Sequence, residues 1–322
     1  SVLLFSIKDL DVNYKIIKNV GRSPDISQRS KNGPAQLNAF SFFETTLTNA
    51  VNKGDIELID LIVNHPSFDP IKSNLKMAIF NSIKKNNIEI FNKLSSIKNY
   101  DINMFNLKGE SLLVSAVMSN NQMIIDEIFK NENFDSEKSN LQSAFIQSFT
   151  VKNDSSLDIM NQLYEYDSNH KKLINLNKLL PNGKSFFTSI PPRFDNIENL
   201  VNFFLDHGAD PNIPDSQGVY PLEYAILEMA TPFVIALLDS GKVDYSVKCK
   251  GNYIPLTSSN AKIMSRYQTD SMKSYLHLAA RSNDSQILIE FLQRNLIDVN
   301  VTDDLGETPL MDACRSRKSE NI

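Results

Sequence analysis

A short helix-opening motif that returns along the whole chain constrains the fold more than any other feature. In the tail, Asp303-Asp304-Leu305-Gly306-Glu307-Thr308-Pro309-Leu310-Met311-Asp312-Ala313 runs from a turn through Thr-Pro-Leu to an alanine. Thr308 can cap a helix, and Pro309 suits the first helical position, where its missing N–H would be unpaired anyway. Ala313 then leaves room for a neighbouring helix to approach closely.

The same shape occurs at Ser274–Ala279, at Gly218–Ala225, at Gly183–Ile190 with Ile in the alanine slot, and at Gly109–Ala116. Weaker copies end at Ala144, Ala78 and Ala50. The anchors thus fall at 50, 78, 116, 144, 190, 225, 279 and 313. Each is followed by a polar break and a second apolar segment at helical spacing, such as Ile56, Ile59 and Ile62, or Leu200, Phe203 and Phe204. The unit is a helix, a tight turn, a second helix and a loop. Gly208 marks the end of one second helix, before Ala209-Asp210-Pro211-Asn212.

These residues resemble the ankyrin repeat family, whose pattern is D-x-x-G-x-T-P-L-H-x-A, a second helix, then L-L-x-x-G-A-D-x-N. The likeness is close at 203–225 and 303–313, partial at 106–116, 181–190 and 274–300, and weak at 44–105 and 139–180. It implies an all-α fold: an ankyrin-repeat α-solenoid of stacked helix-turn-helix units with short β-finger loops. About eight repeats would fill 38–322, the last of them truncated. The unequal anchor intervals predict departures from that plan. Fingers between 50 and 78 and between 116 and 144 should be short or absent. An insertion is expected around Tyr166–Lys178, and a larger one at 252–273, which holds Tyr253, Lys262, Arg266, Tyr267 and Lys273.

Residues 1–37 fit no repeat. Leu3, Ile7, Leu10, Tyr14 and Ile17 trace one helical face, read as an N-terminal cap or a docking helix, followed by a polar linker from Gly21 to Pro34. Ser23 precedes Pro24 and is a candidate phosphosite. The chain stops where the last repeat should begin its second helix, so it reads as part of a larger polypeptide.

At 41% hydrophobic and 22% charged residues, the chain is too apolar for a disordered segment. No run of about 18 apolar residues suggests membrane insertion. Cys249 and Cys314, far apart in sequence, read as reduced thiols of an intracellular protein, cytoplasmic or nuclear. Net charge is −5, and no Lys or Arg occurs from Phe194 to Gly241. That stretch opposes direct nucleic-acid binding and suits a basic protein partner.

No phosphate loop, dinucleotide fingerprint, zinc-protease motif or nucleophile elbow is present, so no enzyme, cofactor or metal site is expected. His207 and His277 are explained by the repeat pattern. Asp303, Asp304 and the acids at 195–228 are read as solvated. Function then falls to surface. The resemblance implies a protein partner held on the concave face of fingers and first helices. Candidate contacts are Asn106, Leu107, Lys108, Asp215, Ser216, Gln217, Val219, Tyr220, Asp303, Asp304 and Leu305 on the fingers, with Tyr253 and Arg266 on the insertion. The alternatives are a regulatory segment of a larger signalling, trafficking or transcription protein, or a structural brick in a large assembly.

Overall fold

The computed structural model describes residues 13, 15–16, 44–98, 100–150, 156–249 and 271–316. Ser23, Tyr253, Arg266 and Leu3, Ile7, Leu10, Tyr14 and Ile17 lie outside them. Fifteen helices and one two-stranded pair make up the named elements among the described residues. None of these helices is long and apolar enough to cross a membrane. The chain divides into two compact units, Ser1–Leu173 and Ile174–Ile322.

The first unit holds four helix pairs. They are α1 (Thr46–Lys53) with α2 (Ile56–Val63), α3 (Leu75–Lys84) with α4 (Ile88–Ser95), α5 (Leu112–Met118) with α6 (Gln122–Lys130), and α7 (Leu141–Thr150) with α8 (Ser156–Ser168). First helices stack in a row, α1 on α3, α3 on α5 and α5 on α7, while α4 packs on α6. The second unit repeats the scheme with α9 (Phe186–Ser189) and α10 (Ile197–Asp206), α11 (Pro221–Leu227) and α12 (Thr231–Asp239), α13 (Tyr275–Arg281) and α14 (Ser285–Arg294), then α15 (Pro309–Ser316). Here α9, α11, α13 and α15 form one row and α10, α12 and α14 the other.

The anchor residues explain the stacking. Ala50, Ala78, Ala116, Ala144, Ile190, Ala225, Ala279 and Ala313 are all buried in, or at the end of, a first helix. A methyl side chain lets the next first helix lie close, and anything larger would overfill the contact. The second helices supply the bulk, through Ile59 and Ile62, Phe91 and Leu94, Ile124 and Ile128, Phe204, and Ile287 and Phe291.

Five of the pairs turn on a link of two or three residues. Gly54, Asn86, Asn120 and Met229 take left-handed φ values in four of these links. Asp55, Asn87 and Asn121 then cap the second helix by accepting a backbone N–H from its first turn. Glycine and asparagine reach the left-handed region cheaply; an unbranched side chain such as Met does not. Replacing Met229 by Gly is therefore expected to stabilise the protein by about 1 kcal/mol, visible as a higher urea midpoint. A lower midpoint would show that the Met side chain contributes more than the strain costs.

Pairs are joined by asparagines that bridge from one loop to the next. Asn103 donates to Asn133 O at 2.9 Å and accepts from Asp135 N at 2.8 Å and Ser139 Oγ at 2.7 Å. Asn177 bridges to Gly208 O and Asp210 N, and Asn212 to Lys242 O and Asp244 N. Asn13 does the same, donating to Ser67 O and accepting from Asp69 N and Ser73 Oγ. It occupies the place at Ser67–Ser73 that Asn103 occupies at Asn133–Ser139. Lys15–Ile16 (β1) then pairs antiparallel with Glu44–Thr45 (β2), as Phe105 bridges Ser111 in the later repeat. A turn at Asn13 and a strand at 15–16 exclude a single helix over 3–17, and Asn13, Lys15 and Ile16 belong to the first helix pair. The sequence signal is Asp11-Val12-Asn13, which matches Asp101-Ile102-Asn103 and Asp298-Val299-Asn300.

A longer period is superimposed in the first unit. Thr45 and Ser111, Asp69 and Asp135, and Ala78 and Ala144 are each 66 residues apart. In the short intervals a tight turn replaces the finger. Asp69 accepts from Ile71 N and Lys72 N, and Asp135 from Glu137 N and Lys138 N. Asn74 and Asn140 enter the next helix with φ of 54° and 56°. Phe68-Asp69 with Lys72-Ser73-Asn74-Leu75 recurs as Phe134-Asp135 with Lys138-Ser139-Asn140-Leu141.

The extra length expected at Tyr166–Lys178 is distributed differently. It falls largely within the 13-residue α8, which is five residues longer than α4, whereas α7 is no longer than α3. Tyr166 is in α8, stacked on Phe129 with ring centroids 3.9 Å apart.

Candidate functional site

Three fingers are folded by the same device. Asn106 Oδ1 accepts from Lys108 N and Glu110 N, Asp215 Oδ1 from Gln217 N and Val219 N, and Asp303 Oδ1 from Leu305 N and Glu307 N. In each, the backbone N–H of that residue donates to the carbonyl four positions on. A short side-chain acceptor that can reach two N–H groups of its own turn is what Asn and Asp offer. These three side chains therefore hold the finger together and are poorly placed to hold a partner.

The other candidates divide by exposure. Leu107, Lys108, Ser216, Gln217, Asp304 and Leu305 are exposed. Tyr220 is half-buried at the N-cap of α11, its N–H donating to the Glu223 carboxylate. Val219 is buried and belongs to the core. Ser216 also ties two fingers together, since its N–H donates to Gly183 O at 2.7 Å. Gly183 has φ of 80°, and a Cβ there would stand 2.2 Å from Ser216 Oγ and 2.9 Å from Ser216 Cβ. Gly183→Ala is expected to cost about 1–3 kcal/mol, read from a denaturant midpoint. An unchanged midpoint would mean that the two fingers move apart freely.

The acids expected in solvent are partly internal. Asp195, Glu198, Asp206, Asp210 and Asp239 are exposed, but Asp215, Glu223 and Glu228 are buried. Asp303 is buried too, and with it Lys273, which the sequence placed in the 252–273 insertion. Lys273 pairs its backbone with Cys249 in an antiparallel bridge. Its side chain is 1% exposed and donates to Asp303 at 2.6 Å and Asp312 at 3.0 Å. Arg281 Nε lies 3.2 Å from the other oxygen of Asp312. Desolvation opposes charge on Asp303. The Lys273 ammonium, the N–H groups of Glu307 and Leu305 and the Ser271 hydroxyl outweigh it, and hold its carboxyl far below the usual range. A finger position is normally exposed, whereas Asp303 and Lys273 cover each other across two adjacent repeats.

His277 sits beside this cluster. Its Nε2 donates to Glu307 O at 2.9 Å, which leaves Nδ1 to accept from Ser274 Oγ at 2.7 Å. Burial pushes its pKa below the ordinary 6.5, although the Glu307 carbonyl and Asp312 pull the other way. Cys249 is buried, and burial first, then the facing Glu223, raises its thiol pKa strongly. A thiol in that setting is a poor nucleophile. Among the described residues, no group of three His, Cys, Asp or Glu side chains is arranged to hold a metal ion.

One surface of the first unit is concave. A groove of about 680 Å³ lies between α3, α5 and the finger 106–110. Lys76, Phe80 and Lys84 line it from one face of α3, at the four-residue spacing that aligns side chains along a helix. Ser115, Met118 and Ser119 face them from α5, and Leu107 and Lys108 from the finger. Leu107 is 77% exposed and Met118 45%. The Ser115 hydroxyl is buried and has no hydrogen-bond partner among the described residues. The sequence reading reached the finger side of this groove. It missed Lys76, Phe80, Lys84 and Met118, whose common face depends on how α3 stacks on α5.

No family model matches the chain, and no curated protein matches it.

Proposed function

We propose that this chain is a non-enzymatic, protein-binding scaffold of the ankyrin-repeat type, which holds a protein partner on its fingers and first helices. The fold part of this reading is supported by the repeated finger, helix, turn and helix, by the buried alanine at the same place in the first helices, and by the asparagine bridges between loops. The observation that carries the binding part is the groove beside finger 106–110. It combines exposed apolar side chains with polar groups on three separate segments, as recognition sites do. Its volume lies within the range of about 300–1,000 Å³ typical of such sites.

Affinity capture with the native chain and with a Leu107→Asp, Met118→Asp variant tests this. Proteins captured by the native chain should fall by about tenfold or more on the variant, the loss expected when central apolar contacts are removed. A Met123→Asp control on the exposed face of α6 should keep them, with helical circular dichroism unchanged in both. Equal capture by all three forms would exclude the groove as the site.

A further inference from the structure

We infer that the groove of the first unit takes an acidic, extended peptide segment of its partner, with one apolar side chain set between Leu107, Phe80 and Met118. This rests on the binding reading above and specifies the chemistry of the ligand. It gives this groove a ligand opposite in charge to the basic partner expected from the acidic 194–241 stretch, which lies in the second unit.

The argument is one of charge complementarity around an apolar centre. Lys76 and Lys84 stand two turns apart on α3, and Lys108 stands across from them on the finger. All three are exposed, and none is in an ion pair among the described residues. The one acid on the lining, Glu110, already accepts from Asn106 Nδ2 at 2.7 Å. Three lysines against one carboxylate leave the rim net positive, since the neutral Asn106 amide does not remove the Glu110 charge. Phe80, Met77, Met118 and Leu107 make the space between the lysines apolar. An extended segment with carboxylates flanking a Leu-like residue satisfies both the charged rim and the apolar centre. Lysines on long stems can follow such a ligand, and their attraction both orients it and speeds its arrival.

The test uses the full chain and three fluorescein-labelled twelve-residue peptides with Leu at every third position. The remaining positions are Glu in the first, Gln in the second and Lys in the third. A single-stranded oligonucleotide serves as a fourth probe. Anisotropy titration should show the Glu peptide binding about tenfold or more tightly than the Gln peptide, and weakening as salt rises, because contacts at an exposed rim are screened. The Lys76→Glu, Lys84→Glu, Lys108→Glu variant should lose that advantage and favour the Lys peptide. The milder triple Lys→Gln variant should lose it without the reversal.

If Glu and Gln peptides bind alike and the lysine variants change nothing, the acidic-ligand inference is overturned. If Leu107→Asp still abolishes both, the groove reading survives it. Tighter binding of the oligonucleotide, lost in the lysine variants, would also overturn the inference and assign the charge to nucleic acid. If no probe binds in 50 mM salt, both readings fall.

Discussion

Lys273→Met is expected to destabilise the second unit by about 3 kcal/mol or more, the cost of leaving buried charge unpaired. In the native protein the cluster is neutral as a set: Lys273 and Arg281 face Asp303 and Asp312. Methionine keeps the stem and its packing but removes the ammonium. Asp303 would keep its hydrogen bonds from Ser271, Leu305 and Glu307, and Asp312 its Arg281, so the loss should fall near the lower end of the range for broken buried pairs. The damage should also be local, since Asp303 folds the finger that leads into α15. Urea unfolding followed by circular dichroism measures the size, and hydrogen exchange locates it. Restoring neutrality with Lys273→Met and Asp303→Asn together, which leaves Arg281 facing Asp312, should recover part of the loss, because the penalty comes from unpaired charge. A single variant as stable as the native chain would show that water reaches the cluster.

Asn103→Ala and Asn13→Ala are each expected to cost about 2 kcal/mol, from three lost hydrogen bonds worth about 0.5–1.5 kcal/mol apiece. The comparison matters more than either value. Asn103 links the Asn133–Ser139 turn to the finger before α5 across 30–36 residues of sequence. Asn13 makes the matching set to Ser67, Asp69 and Ser73 across a much longer span of sequence. If residues 13–16 are part of the first helix pair, the two substitutions should act alike. Exchange protection should drop at 67–75 in one variant and at 133–141 in the other. A loss for Asn103→Ala alone would mean that the N-terminal residues sit loosely on the first pair.

The legible parts of this protein are those in which one repeat speaks for itself. Anchor alanines, capping Ser and Thr residues and apolar helical spacing are local requirements, so they stand in the sequence at most copies. Thr45, Ser111, Ser185 and Ser274 all head first helices, as their positions before the motif imply. Asn13 was equally local, with Asp11-Val12-Asn13 in plain view, but the residues between it and Thr45 hid the match. The 66-residue period was hidden by its own alternation of short and long intervals.

Burial of charge was not legible. Asp303 and Asp304 are neighbours at one finger tip; one is buried on Lys273, and the other is exposed and meets Lys248. Asp303 holds the first place of its D-x-x-G turn, which marks it as folding the finger, but its charge pairing is not legible there, because the lysine that neutralises it stands 30 residues away. The groove is similar. Lys76, Lys84 and Lys108 look like ordinary solvated lysines until α3 and α5 stack and bring the finger beside them. Helix, cap and turn follow from interactions within a few residues, and so the chain states them outright. Which charges are buried and which line a recess depends on pairing between repeats, where distance in space is unrelated to distance along the chain.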